Sequence, residues 1–232
     1  MDNIGLQFTN ESLPFFFAAW LAIFVTGWTV WIVLLRNGIH YINRFIFTSF
    51  YFLGFSVITA VTFRDLLQSI VVNFSSVLLV PVVAVVALFF FNYFLSRRFL
   101  KKPEKAMAEQ PEDFNLPMDY RYIISKHFEI LFQQTTILVL VLLLQKTGLT
   151  LAGIVVCFVV LFGVLHVPLI KTTGRFFGLY YTIFAMLSGL VFPTLITQFR
   201  YGFAYSFMVH VLFYIATGVF FWVYFAKKEH TA

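Results

Sequence analysis

The chain has 232 residues, 61% of them hydrophobic and 11% charged, with a formal net charge of +6. A mean hydropathy of +0.90 excludes an ordinary soluble domain, in which about a quarter of the residues carry charge. A lone cysteine, Cys157, excludes an internal disulfide, and the length suits one integral membrane domain.

The first residues, MDNIGLQFTNES, carry Asp2 and Glu11 instead of the positive charge that opens a cleaved signal peptide. Seven apolar spans follow at roughly 13–35, 45–63, 70–95, 120–145, 149–171, 175–196 and 202–226, each near the ~20 residues that cross the hydrocarbon core as a helix. Helices are expected because lipid cannot satisfy an open backbone. The predicted fold is therefore all-α, a polytopic membrane helical bundle of about seven transmembrane helices. It divides into three helices over 1–95, a linker over 96–119 and a four-helix core over 120–232. The linker, SRRFLKKPEKAMAEQPEDFNLPMD, turns from basic to acidic and reads as a solvated connector, part of it as an interfacial helix.

Basic residues orient the spans. Arg36, Arg44, Arg97, Arg98, Lys101, Lys102, Lys105, Arg121, Lys126, Lys171, Arg175, Lys227 and Lys228 make 13 of the 16 basic residues, and all fall on one side of an alternating seven-span layout. Arg64, Lys146 and Arg200 fall on the other. The richer side should be the cytoplasm. This puts the N-terminus outside and the C-terminus in the cytoplasm, in a multi-pass protein expected in a bacterial cytoplasmic membrane. The positive charge is thereby assigned to topology and lipid contact, with no nucleic-acid partner.

The acids are the more informative group. Asp2, Glu11, Asp65, Glu104, Glu109, Glu112, Asp113, Asp119 and Glu229 lie outside the spans, Asp65 in a short loop, which leaves Glu129 as the one intramembrane acid. His127, His166 and His210 are also inside spans. An ionisable residue at the centre of a membrane helix costs about 2.5–3.5 kcal/mol on insertion scales, so such residues are functional candidates. Glu129 and Gln133 are four apart and share a helix face, as do His210 and Tyr214. His127 lies on a different face from Glu129 and reads first as a packed interface histidine. A carboxylate and an imidazole together can deprotonate water, and a second imidazole with a phenol can hold an oxyanion. No cofactor is required. Zinc is the competing use of Glu and His, but neither HExxH nor HxxxH occurs, so that signal is weak.

FEILFQ at 128–133, FGVLH at 162–166 and HVLFY at 210–214 fall in successive spans. In order and placement they resemble the motifs EExxxR, FxxxH and HxxxN/D of the CAAX protease and bacteriocin-processing family of intramembrane glutamate endopeptidases. The likeness covers roughly residues 120–226. It departs from the family at Phe128, which stands for the first glutamate, at Gln133 for the arginine and at Tyr214 for the asparagine or aspartate. The resemblance implies an endopeptidase cleaving a membrane-associated or lipidated peptide. Glu129 and His166 would activate water, His210 would hold the oxyanion, and Gln133, Tyr214, Phe162 and His127 would support them. Two other readings stay open: a catalytically inactive scaffold on the same fold, and a proton-coupled transporter using a Glu/His relay.

Overall fold

Long apolar runs with bulky side chains have one way to satisfy their backbone in lipid, and they take it. The computed structural model describes residues 12–72, 79–100, 119–172 and 174–231. The helices are α1 (Leu13–Arg36), α2 (Phe45–Thr62), α3 (Arg64–Val72), α4 (Leu79–Phe99), α5 (Tyr120–Lys146), α6 (Leu151–His166), α7 (Leu169–Thr172), α8 (Arg175–Gln198) and α9 (Gly202–Thr231). No strand occurs among the described residues. Among the described residues seven stretches are long and apolar enough to cross a membrane: α1, α2, α4, α5, Leu151–Lys171, α8 and Gly202–Lys228. The chain is an integral, multi-pass, all-α membrane protein.

One expected boundary changes, and one span keeps its bounds but is interrupted. The third span begins at Leu79, not near residue 70, because Arg64 and Asp65 start a separate nine-residue helix. Asp65 thus sits in the first turn of α3, where a negative charge suits the helix dipole, and not in a loop. The fifth span breaks after His166. Pro168 has no N–H to continue the ladder, and a turn at 167–168 leads into α7. Most of the expected linker, residues 101–118, lies outside the described residues.

The chain forms two compact units, each drawn from several stretches. The first comprises Met1–Phe24, Ile58–Phe74 and Gln134–Ser206. Within it α8 packs against α6 and α7 through glycines. A Cβ on Gly189 would lie 2.9 Å from the Val159 Cα, and one on Gly178 would lie 2.3 Å from the Ile170 Cα, so backbone meets backbone at both places. Thr150 caps α6 by accepting a hydrogen bond from the Gly153 N–H at 3.3 Å. The Trp20 indole N–H donates to the Thr136 carbonyl at 2.8 Å.

The second unit comprises Val25–Val57, Ser75–Gln133 and Phe207–Ala232. Its interior is aromatic. Trp31, Tyr41, Phe52 and Phe132 are buried, with ring centroids 4.9 Å apart for Trp31–Tyr41, 5.1 Å for Trp31–Phe52 and 6.2 Å for Phe52–Phe132. Phe89, Ile123, Ile130 and Val211 form a further apolar cluster from α4, α5 and α9.

Helix α5 differs from the rest: 72% of its apolar window is buried, against 11% to 39% in the other six. Its polar side chains therefore meet protein instead of lipid. Elsewhere Phe50, Val80, Val160 and Phe91 are exposed, as lipid contact requires.

Candidate functional site: a buried lysine–glutamate pair

The site is written along one stripe of α5. Tyr122, Lys126, Glu129 and Gln133 are spaced four, three and four residues apart, which stacks them on a single helix face. Lys126 is six residues from the start of α5 and Glu129 nine, about 9 and 14 Å along the axis. Both are buried, at 7% and 2% exposure.

The Lys126 ammonium lies 2.8 Å from each oxygen of the Glu129 carboxylate. The Gln133 amide donates to Oε1 at 2.8 Å. The Tyr41 hydroxyl donates to Oε2 at 2.5 Å, the length of a strong O–H···O⁻ bond. An ionised carboxylate offers about four lone-pair directions, and here four donor contacts fill them. The cost of burying the charge is offset by a paired cation and by full hydrogen bonding.

Tyr41 reaches the pair from the turn between α1 and α2. Gly38, at φ +77°, lets the chain leave α1 through the left-handed region. The Asn43 side chain then ties the turn, donating to the Gly38 carbonyl at 2.7 Å and accepting from the His40 N–H at 2.8 Å. The Ser125 hydroxyl sits where the same turn meets α5, 3.3 Å from the Tyr41 carbonyl, 3.2 Å from that of Phe45 and 3.0 Å from that of Arg121, with one hydrogen to give among the three.

Of the residues expected from sequence, Gln133 meets Glu129 directly. Tyr214 joins through Lys126, whose Nζ is 4.4 Å from its ring centroid. His210 follows, its ring stacked on Tyr214 at 5.4 Å. His127 faces away from Glu129, as its spacing predicts. Its Nδ1 lies 2.7 Å from the Ile123 carbonyl, which only accepts, so Nδ1 carries the hydrogen. Its Nε2 is buried with no hydrogen-bond partner among the described residues, and the ring sits against Phe89 and Phe90 at 5.3 and 6.1 Å. Phe162 and His166 pair with each other in the first unit. Their rings are 5.2 Å apart, and His166 Nδ1 is 2.8 Å from the Phe162 carbonyl. The same tautomer follows, leaving the His166 Nε2 lone pair as the basic site. The Thr182 hydroxyl lies 3.1 Å from the His166 carbonyl and 2.7 Å from that of Gly178, with one hydrogen for the two.

Three site residues escape the sequence reading. Lys126 counts there as an interfacial topology charge, whereas it is buried and neutralised by Glu129. Tyr122 and Tyr41 have no assigned role there. The signal for the first two was the four-three spacing on α5. For Tyr41, 88 residues from Glu129, there was none. Among the described residues no three His, Cys, Asp or Glu side chains group as metal ligands. No protein-family model, curated protein or solved structure matches this chain.

Proposed function

We propose that the chain is a proton-coupled membrane transporter with the Lys126–Glu129 pair as its coupling site. One observation carries this reading: four donor contacts occupy the Glu129 carboxylate, two of them from a buried ammonium. A proton arriving on Glu129 competes directly with Lys126. Protonation cancels the attraction that holds the ammonium, and deprotonation restores it, so one proton toggles two arrangements of a buried side chain. The basic flanks support a site that faces the cytoplasm, because Lys126 and Glu129 lie in the first turns of α5, near Arg121 in the sequence.

The test is proton movement into proteoliposomes loaded with a pH-sensitive dye, on addition of amines, amino acids, sugars or nucleosides. Wild-type protein should acidify the lumen with one of these classes, and Glu129→Gln should not. Acidification that persists in Glu129→Gln, or none above empty liposomes for any class, sinks the proposal.

A second reading, an intramembrane endopeptidase acting on a membrane-associated or lipidated peptide, is favoured by His166. Its Nδ1 is tied to the Phe162 carbonyl, which leaves Nε2 as a nitrogen of the kind that accepts a proton from water. Cleavage of a lipopeptide by wild type, lost in both Glu129→Gln and His166→Ala, supports it. Cleavage that survives Glu129→Gln removes it.

A further inference from the structure

The surroundings of the Lys126 ammonium carry an inference about what else binds there. Nζ lies 4.4 Å from the ring centroid of Tyr214, 5.2 Å from that of Tyr41 and 5.7 Å from that of Tyr122. All three are inside the ~6 Å over which a cation is drawn to an aromatic face. The Glu129 carboxylate adds a full negative charge at 2.8 Å. The rings come from the α1–α2 turn, from α5 and from α9, so the cage is a product of the fold and not of a local run of tyrosines. Rings and a counter-charge are the means by which proteins hold alkylated ammonium ions.

Lysine suits the part of a tethered occupant. Its stem is flexible, and its position about 9 Å from the start of α5 allows the ammonium to turn back toward the helix end and the headgroups. When a second cation enters as Lys126 leaves, the charge inside the cage is unchanged, so the exchange costs no net burial of charge.

We propose that Tyr41, Tyr122, Tyr214 and Glu129 form a binding site for a small methylated ammonium ion, of the choline class, which Lys126 fills until such a cation displaces it. Lys126 gives hydrogens to both Glu129 oxygens, whereas a methylated cation needs no N–H acceptor: the three rings and the carboxylate charge attract it, and Glu129 keeps Gln133 and Tyr41 as donors. The inference deepens the transport reading by naming a substrate class. It is tested by binding alone, so the two stand or fall separately.

The probe is tetramethylammonium chloride, compared with sodium chloride at equal ionic strength, on the purified full chain in detergent. Lys126→Met removes the occupant and leaves Glu129 uncompensated. Tetramethylammonium should therefore raise its melting temperature and bind about tenfold tighter than to wild type, and Lys126→Met/Glu129→Gln should lose the effect. Should Lys126→Met fail to fold, wild-type protein decides the matter. Modification of Lys126 by an amine-specific reagent, read by mass spectrometry, should rise several-fold with tetramethylammonium and not with sodium. A folded Lys126→Met that responds equally to both salts, or wild-type Lys126 whose modification is the same in both, overturns the site. Binding without proton movement in proteoliposomes keeps the cage and discards transport. Proton movement without tetramethylammonium binding does the reverse.

Discussion

The two compact units solve the same problem with different chemistry. In the first, α6, α7 and α8 approach through glycines, and backbone lies against backbone at Gly178 and Gly189. In the second, stacked and edge-on aromatic rings fill the space, and a charged pair sits among them. A close glycine of the second unit, Gly27, meets a ring, that of Phe132, and not a backbone. Small residues permit dispersion contact over a long seam, which suits a rigid partition between helices. Rings around an ion pair permit an element with two arrangements, since a charge can change partners while a seam of glycines cannot.

The contrast breaks most sharply at Lys126. Lys126→Ala leaves Glu129 buried without its cation and should cost about 3–5 kcal/mol, read as a lower unfolding midpoint in detergent. Lys126→Met/Glu129→Met should recover most of that loss, because the pair is replaced by apolar volume. A double variant no better than Lys126→Ala would mean that the pair is needed for the fold itself. Next comes Tyr41→Phe, which removes one donor to the ionised carboxylate and should cost about 1.5–3 kcal/mol by the same assay. Gly178→Ala probes the first unit. Its Cβ would stand 2.3 Å from the Ile170 Cα, and the forced separation should cost about 1–3 kcal/mol even though alanine favours helix.

Asp119 offers a smaller and pH-dependent effect. It stands just before α5, its carbonyl accepting the Ile123 N–H at 3.1 Å, and its carboxylate caps the helix through the Arg121 N–H at 2.8 Å. The Arg121 guanidinium, bonded to both oxygens, holds this carboxyl below the usual range. A lowered folded-state pKa gives stability that is present above about pH 4 and is lost as pH falls through the folded value. Asp119→Ala should therefore cost about 1 kcal/mol at neutral pH, and the gap to wild type should narrow on acidification toward pH 3. Smallest of all is Gly54→Ala. Nothing lies within 4 Å of the added Cβ, so the helix should gain about 0.5–1 kcal/mol. A loss there would show an unrecognised close approach in the aromatic unit.

Much of the fold is legible in the sequence because crossing a bilayer is a demand on length and polarity alone. The seven spans meet that demand, and among the described residues the structure has seven such stretches. The boundary at residue 70 is less legible, since from Leu66 to Leu88 the polar residues Gln68, Ser69, Asn73, Ser75 and Ser76 carry no charge and stand among apolar neighbours that read as part of a span. Within the site, Glu129 with Gln133 and His210 with Tyr214 follow from four-residue spacing. Lys126 is harder. A lysine six residues into a span answers equally to an interface and to a buried partner, and the acid three residues on settles which. Tyr41 belongs to a turn, and no helical period reaches it.

The placement of both members of the pair on one helix has a consequence for biosynthesis. Lysine and glutamate three residues apart can find each other as soon as that segment is helical, before any other part of α5 has packed. The segment then enters the bilayer as a nearly neutral unit and not as two separate charges, each of which would weigh about 2.5–3.5 kcal/mol against insertion at the centre of the bilayer. Tyr41 and the helices that flank its turn are made earlier in the chain, so the ring that completes the carboxylate's partners is already there when α5 arrives.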